Sequence, residues 1–301
     1  MGILDDLKME YRIGGITQRL IFWNVGLFAI PMVLFSVLSL FGVDLSFLRW
    51  DLALTNDWFS LSSNPENLLW KPWSIISYMF LHAGIFHLLF NMMMLYFAGR
   101  LFLTFFTQKQ MFGMYILGGI FAGFLYIVSY NLLPAFSVGG SKMVGASAAV
   151  MTVLIATAVY QPYYQVRLLL IGTVKLWHIA VVFVILDLIQ ASGANAGGHI
   201  AHLGGALFGY IYIRLLQNGT DLSSIVTSVI DFFANLFKPK KKTPFKKVYK
   251  NNNVSRPASS LTSQPKDITQ KRIDDILDKI SKSGYESLTK EEKDFLSKAG
   301  K

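Results

Sequence analysis

Long apolar runs separated by short polar stretches occupy most of the first 217 positions of the chain. A helix needs roughly 17–25 apolar residues to cross the hydrocarbon core of a bilayer. Six runs approach that length, at residues 20–42, 85–106, 111–133, 145–160, 168–191 and 199–217. The pattern predicts an all-α, polytopic membrane protein, built as a bundle of six transmembrane helices with a cytoplasmic helical tail.

The fourth run, residues 145–160, is short for a complete span. Its helix must therefore begin below the bilayer surface, with protein or water rather than lipid around its first residues. Ser147 lies there among small residues, where helix amides lack an intrahelical partner and the helix dipole favours negative charge. It is a candidate nucleophile whose own amide would join an oxyanion hole, although capping and packing are more common roles for such a serine.

Composition divides the chain into four segments. These are an N-terminal cytoplasmic segment (1–19), the six-span domain (20–217), an amphipathic helix with a basic, partly disordered linker (218–266) and a small helical hairpin (267–301). The hairpin is predicted from a stop at Gly284 and a capping box formed by Thr289 and Glu292. No catalytic motif lies in it, and nothing favours nucleic-acid binding.

The segment between the first two runs, residues 43–84, is rich in tryptophan. Such rings suit the headgroup region of a bilayer, so short helices lying partly in the outer leaflet are expected. A folded loop with buried tryptophans is the alternative. The four residues concerned are Trp50, Trp58, Trp70 and Trp73.

Charge gives the orientation of the chain. Residues 238–301 carry 17 Lys and Arg against 8 Asp and Glu, whereas the preceding residues are nearly neutral. Basic residues next to spans stay in the cytoplasm, so the tail and, with six spans, the N-terminus are predicted to be cytoplasmic. We expect a multi-pass protein of a bacterial inner membrane, although no targeting segment supports the bacterial origin.

A basic cluster follows the amphipathic stretch 221–237 and suggests contact with anionic lipid headgroups. A solvated basic linker is the alternative. The lysines concerned are Lys238, Lys240, Lys241 and Lys242.

Four of the five histidines, His82, His87, His199 and His202, lie at or near the predicted outer ends of the second and sixth runs. Ionisable groups at membrane depth are costly, so such a cluster is a candidate functional site. His87 and Asn91 are i and i+4 on one helix, and together they offer two donors suited to a developing oxyanion. A polar pair that packs helices together is the alternative.

The sixth run has a smooth face, because Ala201, Gly205 and Gly209 are spaced by four. If this face packs on Gly145 and the small residues around Ser147, His202 can reach the serine and act as its general base.

A metal site is the competing interpretation, since His199 and His202 could share a helical face. The chain has no H-E-x-x-H motif, and we expect no carboxylate near either histidine, so no metal and no cofactor is predicted. Asp187, the single acid of the fifth run, is expected only to snorkel or to pair helices.

Three motifs in order, "HLLFN" at 87–91, "GASA" at 145–148 and "AHLGGALFG" at 201–209, resemble the rhomboid intramembrane serine proteases. The resemblance covers roughly residues 15–217. It implies that Ser147 is the nucleophile and His202 its general base, in a dyad without a third carboxylate.

The same resemblance implies an oxyanion hole formed by His87, Asn91 and the Ser147 amide. It also implies that Gly205 and Gly209 let the fourth and sixth spans touch. Two positions depart from the family pattern. Ala148 follows the serine where glycine is usual, and Met151 stands where an aromatic residue often packs on the histidine.

The expected function is therefore an intramembrane serine endopeptidase that cleaves transmembrane segments of single-span proteins. Ser147→Ala and His202→Ala should each abolish cleavage, and His199→Ala should not. A catalytically silent rhomboid-like protein that binds membrane clients is the first alternative. A small transporter that uses the histidines as an ion path is the second, but the inner halves of the runs offer few polar residues.

Overall fold

A computed structural model describes residues 2–43, 58–136, 140–169, 171–193, 195–236 and 265–299. The chain divides into two compact units, Met1–Pro239 and Lys240–Lys301. The first unit is a helical bundle that carries two very small β-sheets. The second is a short helical hairpin.

Six helices of the first unit correspond to the six predicted apolar runs, and the fifth of these begins at Leu176 rather than at residue 168. The N-terminal segment, for which no element was predicted, contains a helix. The helices are α1 (Ile3–Ile13), α2 (Ile16–Leu40), α3 (Pro65–Trp70), α4 (Ser74–Ser77), α5 (Ile85–Leu103), α6 (Gln108–Leu132), α7 (Ser147–Tyr160), α8 (Leu176–Gln190), α9 (Ala196–Gln217) and α10 (Ser223–Leu236).

Among the residues that the structure describes, α2, α5 and α6 are long and apolar enough to cross a membrane. The prediction of a helical integral membrane protein is confirmed, whereas the count of six spans is not. Helices α7 and α8 are apolar but have only 14 and 15 residues. At 1.5 Å per residue, α7 is about 21 Å long, shorter than the roughly 30 Å hydrocarbon core.

Helix α7 lies at the centre of the bundle. Every residue from Ala148 to Ala158 is buried, and α5, α6, α8 and α9 all pack against it. Protein therefore surrounds this short helix on every side, so its ends do not need to reach the bilayer surface.

Two very small antiparallel sheets accompany the helices. Strand β1 (Leu61–Ser62) pairs with β2 (Lys142–Met143), which leads into α7. Strands β3 (Gln165–Leu168) and β4 (Gly172–Lys175) form a hairpin, with Gly172 at φ +87°. The predicted start of the fifth span at residue 168 is therefore wrong, because a short apolar run cannot by itself be told from a strand.

The tryptophan-rich segment contains the short helices α3 and α4. Trp58, Trp70 and Trp73 are 47%, 82% and 44% exposed, so the alternative of buried tryptophans does not hold for these three. Trp50 lies outside the described residues.

A polar junction joins three helices at the end of α9. Asp221 accepts hydrogen bonds from the Tyr212 hydroxyl (2.8 Å), the Ser223 amide (2.9 Å) and the Gln110 side chain (3.1 Å). Burial alone would raise the pKa of Asp221, but a bond from the Ser223 hydroxyl (2.7 Å), together with these three, outweighs it and holds the pKa below its usual value. Helix α10 then extends from this junction with an exposed apolar stripe that includes Phe232 and Phe233. Lys238, Lys240, Lys241 and Lys242 follow outside the described residues.

The second unit contains α11 (Pro265–Ser283) and α12 (Lys290–Ala299). Gly284, at φ +79°, ends α11. The Thr289 amide donates to Glu292 over 2.8 Å and the Glu292 amide donates to the Thr289 hydroxyl over 3.3 Å, which is the predicted capping box. The bond from the Thr289 amide to the carboxylate, followed by the bond from Lys279, holds the pKa of Glu292 below its usual value.

Candidate active site

Ser147 and His202 meet at the contact between α7 and α9. The Ser147 hydroxyl oxygen lies 2.7 Å from His202 Nε2, a hydrogen-bond distance. Ser147 is the first residue of α7, so its amide has no partner within the helix. A serine hydrogen bonded to a neutral imidazole is the arrangement that activates a hydroxyl as a nucleophile.

Two glycines allow α9 to approach α7 this closely. A methyl group on Gly205 would overlap the Ala148 carbonyl oxygen and lie 2.9 Å from the Thr152 hydroxyl. A methyl group on Gly209 would lie 2.5 Å from the Thr152 carbonyl oxygen. The partners are backbone or buried atoms that cannot move aside, so a larger residue would push the helices apart.

His87 faces the serine from α5. Its Nδ1 accepts a hydrogen bond from the Ala83 amide over 3.1 Å, so in the neutral ring the proton is on Nε2. Gly145, at φ +130°, lies between the two side chains. A methyl group there would be 3.0 Å from His87 Nε2 and 3.6 Å from the Ser147 hydroxyl oxygen. The same point in space is thus within reach of a donor and of the nucleophile.

Asn91 is the next polar side chain on this face of α5. It is buried, and its Nδ2 donates to the His87 carbonyl oxygen over 2.8 Å. His82, also buried, packs its ring edge against His87, with centroids 5.2 Å apart. His87 is therefore held by the Ala83 amide and the His82 ring, and Asn91 is held by the His87 carbonyl oxygen.

Two cavities adjoin the serine. One of about 490 Å³ is lined by polar and aromatic groups, including Tyr78, His87, Asn91, Tyr126, Ser147 and His202. The other, of about 160 Å³, is mostly apolar and includes Met151 and Phe183. Asn91, Ser147 and His202 line both, so the hydroxyl borders two cavities.

Ala148 and Met151, the two residues that depart from the family pattern, each line one of these cavities. Ala148 lines the larger cavity and is almost fully buried. Met151 lines the smaller cavity together with His202. A flexible thioether therefore fills space beside the histidine that a ring would fill more rigidly.

One expectation is overturned, because a carboxylate does lie beside the histidines. Asp187 Oδ1 is 2.9 Å from His202 Nδ1 and 2.8 Å from His199 Nδ1. The Asp187 side chain is only 6% exposed. The turn between α8 and α9 folds residue 187 back onto the first two turns of α9. The sequence signal was a lone acid in an apolar run, whose cost of burial demands a partner.

The same three side chains form the one group of potential metal ligands found in the described part of the chain. Asp187, His199 and His202 each offer one ligand atom, and these atoms lie within 4.8 Å of one another. The exclusion of a metal rested on the expectation that no carboxylate lies near His199 or His202, and that expectation is wrong.

Comparison with known proteins gives a family for most of the bundle. Residues 69–218 match the family model described as a Rhomboid domain. Residues 262–300, which include the C-terminal hairpin, match a family of unknown function. No solved structure matches.

Two of the curated relatives are mitochondrial proteins. Presenilin-associated rhomboid-like protein A from Danio rerio is 31% identical over 137 residues, which are 44% of this chain and 35% of that protein. The presenilin-associated rhomboid-like protein of Rattus norvegicus is 30% identical over 156 residues, which are 50% of this chain and 40% of that protein. The matched region is thus well under half of each relative.

Proposed function

The chain carries a Rhomboid domain at residues 69–218, and from this premise we propose that it is an intramembrane serine endopeptidase. One observation carries the proposal. The Ser147 hydroxyl lies 2.7 Å from His202 Nε2, beside a cavity that His87 and Asn91 also line. Nucleophile, base and donors thus share one space.

The reaction that this geometry supports is acyl transfer through a serine ester. His202 Nε2 takes the proton of Ser147 as the hydroxyl oxygen attacks the carbonyl carbon of the substrate. The oxyanion that forms accepts hydrogen bonds from the Ser147 amide, His87 Nε2 and Asn91. His202 then gives the proton to the leaving amine, and a water activated in the same way hydrolyses the ester.

The substrates proposed are transmembrane segments of single-span membrane proteins, cut near the outer end. A helix hides its carbonyl groups in internal hydrogen bonds, so the segment must unwind before attack. Small or helix-breaking residues lower the cost of that step. The lipid bilayer is the medium of the reaction, and anionic headgroups near Lys238 to Lys242 remain a prediction.

We further propose that both termini are cytoplasmic. The bacterial inner membrane expected from the sequence gains no support from the comparisons, since the relatives are mitochondrial proteins.

The alternative proposal is a rhomboid-like protein that binds membrane clients without cleaving them. Such a protein needs the fold and the cavity but no hydrogen-bonded serine and histidine. The completeness of the Ser147–His202 pair favours the enzyme.

The deciding experiment is labelling of the detergent-purified protein by a fluorescent phosphonate that reacts only with activated serines. Wild type should label, and Ser147→Ala and His202→Ala should not. His178→Ala is the matched control, because His178 is exposed on α8 and should label like wild type. A folded wild type that does not label would favour the client-binding protein.

A further inference from the structure

Asp187 and the two histidines of α9 form a hydrogen-bonded group directly behind the serine. We propose that Asp187 is a positioning residue that holds the His202 ring in its reactive form, and that His199 holds Asp187. The effect on catalysis rests on the proposed function. The hydrogen bonds from which the role of Asp187 is argued do not depend on it.

The argument starts with the two nitrogens of His202. Nδ1 lies 2.9 Å from a carboxylate oxygen, which can only accept, so Nδ1 carries the proton. Nε2 is then the acceptor, and it lies 2.7 Å from the Ser147 hydroxyl. The carboxylate thus selects the one neutral tautomer in which His202 can take a proton from serine.

Charge gives the second step. Asp187 is buried in an apolar helix, where a carboxylate is stable only with partners. When His202 accepts the serine proton it becomes a cation in the same low-dielectric surroundings. The negative charge at 2.9 Å stabilises that cation as it forms.

His199 explains why Asp187 stays in this position. Its Nδ1 lies 2.8 Å from the same Oδ1 atom that contacts His202. Two donors from successive turns of one helix hold that oxygen, so moving the carboxylate away from α9 would cost both bonds. His199 itself does not touch Ser147, so it acts through Asp187.

A metal ion is the competing explanation for this group, since two histidines and one carboxylate suit several transition metals. Ligand atoms around a tetrahedral zinc lie about 3.3 Å apart, given bonds of about 2.0 Å. The two distances to Oδ1, 2.8 and 2.9 Å, are those of N–H···O hydrogen bonds. The geometry therefore favours proton-mediated contacts.

The first test reads the tautomer and needs no activity. Histidine ¹⁵N spectra of the full chain, assigned with His202→Ala, should show the His202 proton on Nδ1 in wild type. In Asp187→Asn this population should fall. Asp221→Asn is the matched control, because it removes the same charge from a carboxylate that lies beyond the opposite end of α9, and it should keep the wild-type spectrum. A His202 proton on Nε2 in wild type would overturn the proposal.

The second test measures phosphonate labelling of the same variants. Asp187→Asn should label roughly 10²- to 10⁴-fold more slowly, by analogy with loss of the carboxylate in serine–histidine–aspartate enzymes, and Asp221→Asn should not. Asp187→Ala covers the case in which the asparagine variant fails to fold. If the tautomer is set by Asp187 but wild type does not label, the proposed function fails and the positioning role stands.

The labelling rate also separates positioning from packing. An unchanged rate in a folded Asp187→Asn variant would reduce Asp187 to a packing residue.

Discussion

The Ser147 hydroxyl and His202 Nε2 are hydrogen bonded over 2.7 Å although 55 residues separate them in the sequence. Their meeting depends on how closely α7 and α9 approach, on the turn at Gly145 before α7 and on the carboxylate behind His202. Each of these features can be changed separately, and each change has a distinct expected effect.

A larger residue at Gly205 or Gly209 should push α9 away from α7 and separate Ser147 from His202. Gly205→Ala and Gly209→Ala place a methyl group on backbone atoms of α7, and overpacking of this kind costs about 1–3 kcal/mol. We expect a lower unfolding temperature and loss of phosphonate labelling. In the control Gly26→Ala the nearest atom is 3.9 Å away, so stability and labelling should be kept. Equal behaviour of all three variants would contradict a close-packing role.

Filling the space between His87 and Ser147 should block the reaction with less effect on packing. Gly145→Ala adds a methyl group 3.0 Å from His87 Nε2, at a φ of +130° that alanine rarely adopts. We expect labelling to fall more than 10-fold, with a stability loss of about 1–3 kcal/mol. Gly84→Ala, with nothing within 4 Å, is the control. Wild-type labelling of Gly145→Ala would show that no reacting atom uses this space.

Removing His199 should slow the reaction without abolishing it. In His199→Ala, Asp187 keeps its bond to His202 but loses its second donor. We expect labelling to fall about 2- to 10-fold, in line with one lost hydrogen bond of about 0.5–1.5 kcal/mol. Complete loss of labelling, in a variant that unfolds at the wild-type temperature, would mean that His199 has a direct role.

The Asp221 junction should make stability depend on acidity. Its pKa is lowered in the folded chain, so its contribution is complete above the ordinary pKa and is lost as the pH falls through the lower folded value. Asp221→Asn should cost about 1 kcal/mol at pH 7, since the carboxylate is partly exposed. The difference in unfolding temperature from wild type should persist to about pH 5 and shrink below about pH 4. A constant difference across this range would show that the charge is unimportant.

Metal removal should leave phosphonate labelling unchanged. If hydrogen bonds hold the Asp187 group together, dialysis against a strong chelator does not alter the rate of phosphonate labelling. The measurement compares chelated protein with protein resupplied with zinc. A loss on chelation that zinc restores would assign the group to a metal instead.

Much of this architecture could be predicted from the sequence because hydrophobic period and motif order are local properties. The runs gave α2, α5, α6 and α9 to within a few residues, and the short fourth run marked α7 as a helix that begins inside the protein. The pairing of Ser147 with His202 could also be proposed, since small residues on both helices signal a close crossing.

The contact of Asp187 with the histidines could not be predicted from the sequence. Residue 187 precedes His199 by 12 positions. The direction of its carboxylate depends on the rotation of α8 about its axis, and an almost uniformly apolar run does not predict that rotation. The β3–β4 hairpin was missed for a similar reason, because Leu168 and its neighbours continue the apolar pattern into the turn.

The order of the helices along the chain has a consequence for biosynthesis. Ser147 opens α7, and its base arrives only with α9, the last helix of the site. At about 5–20 residues per second, several seconds of translation separate the two. During that interval the nascent chain carries Ser147 without its hydrogen-bond partner, so the proposed activity can begin only after α9 has joined the bundle.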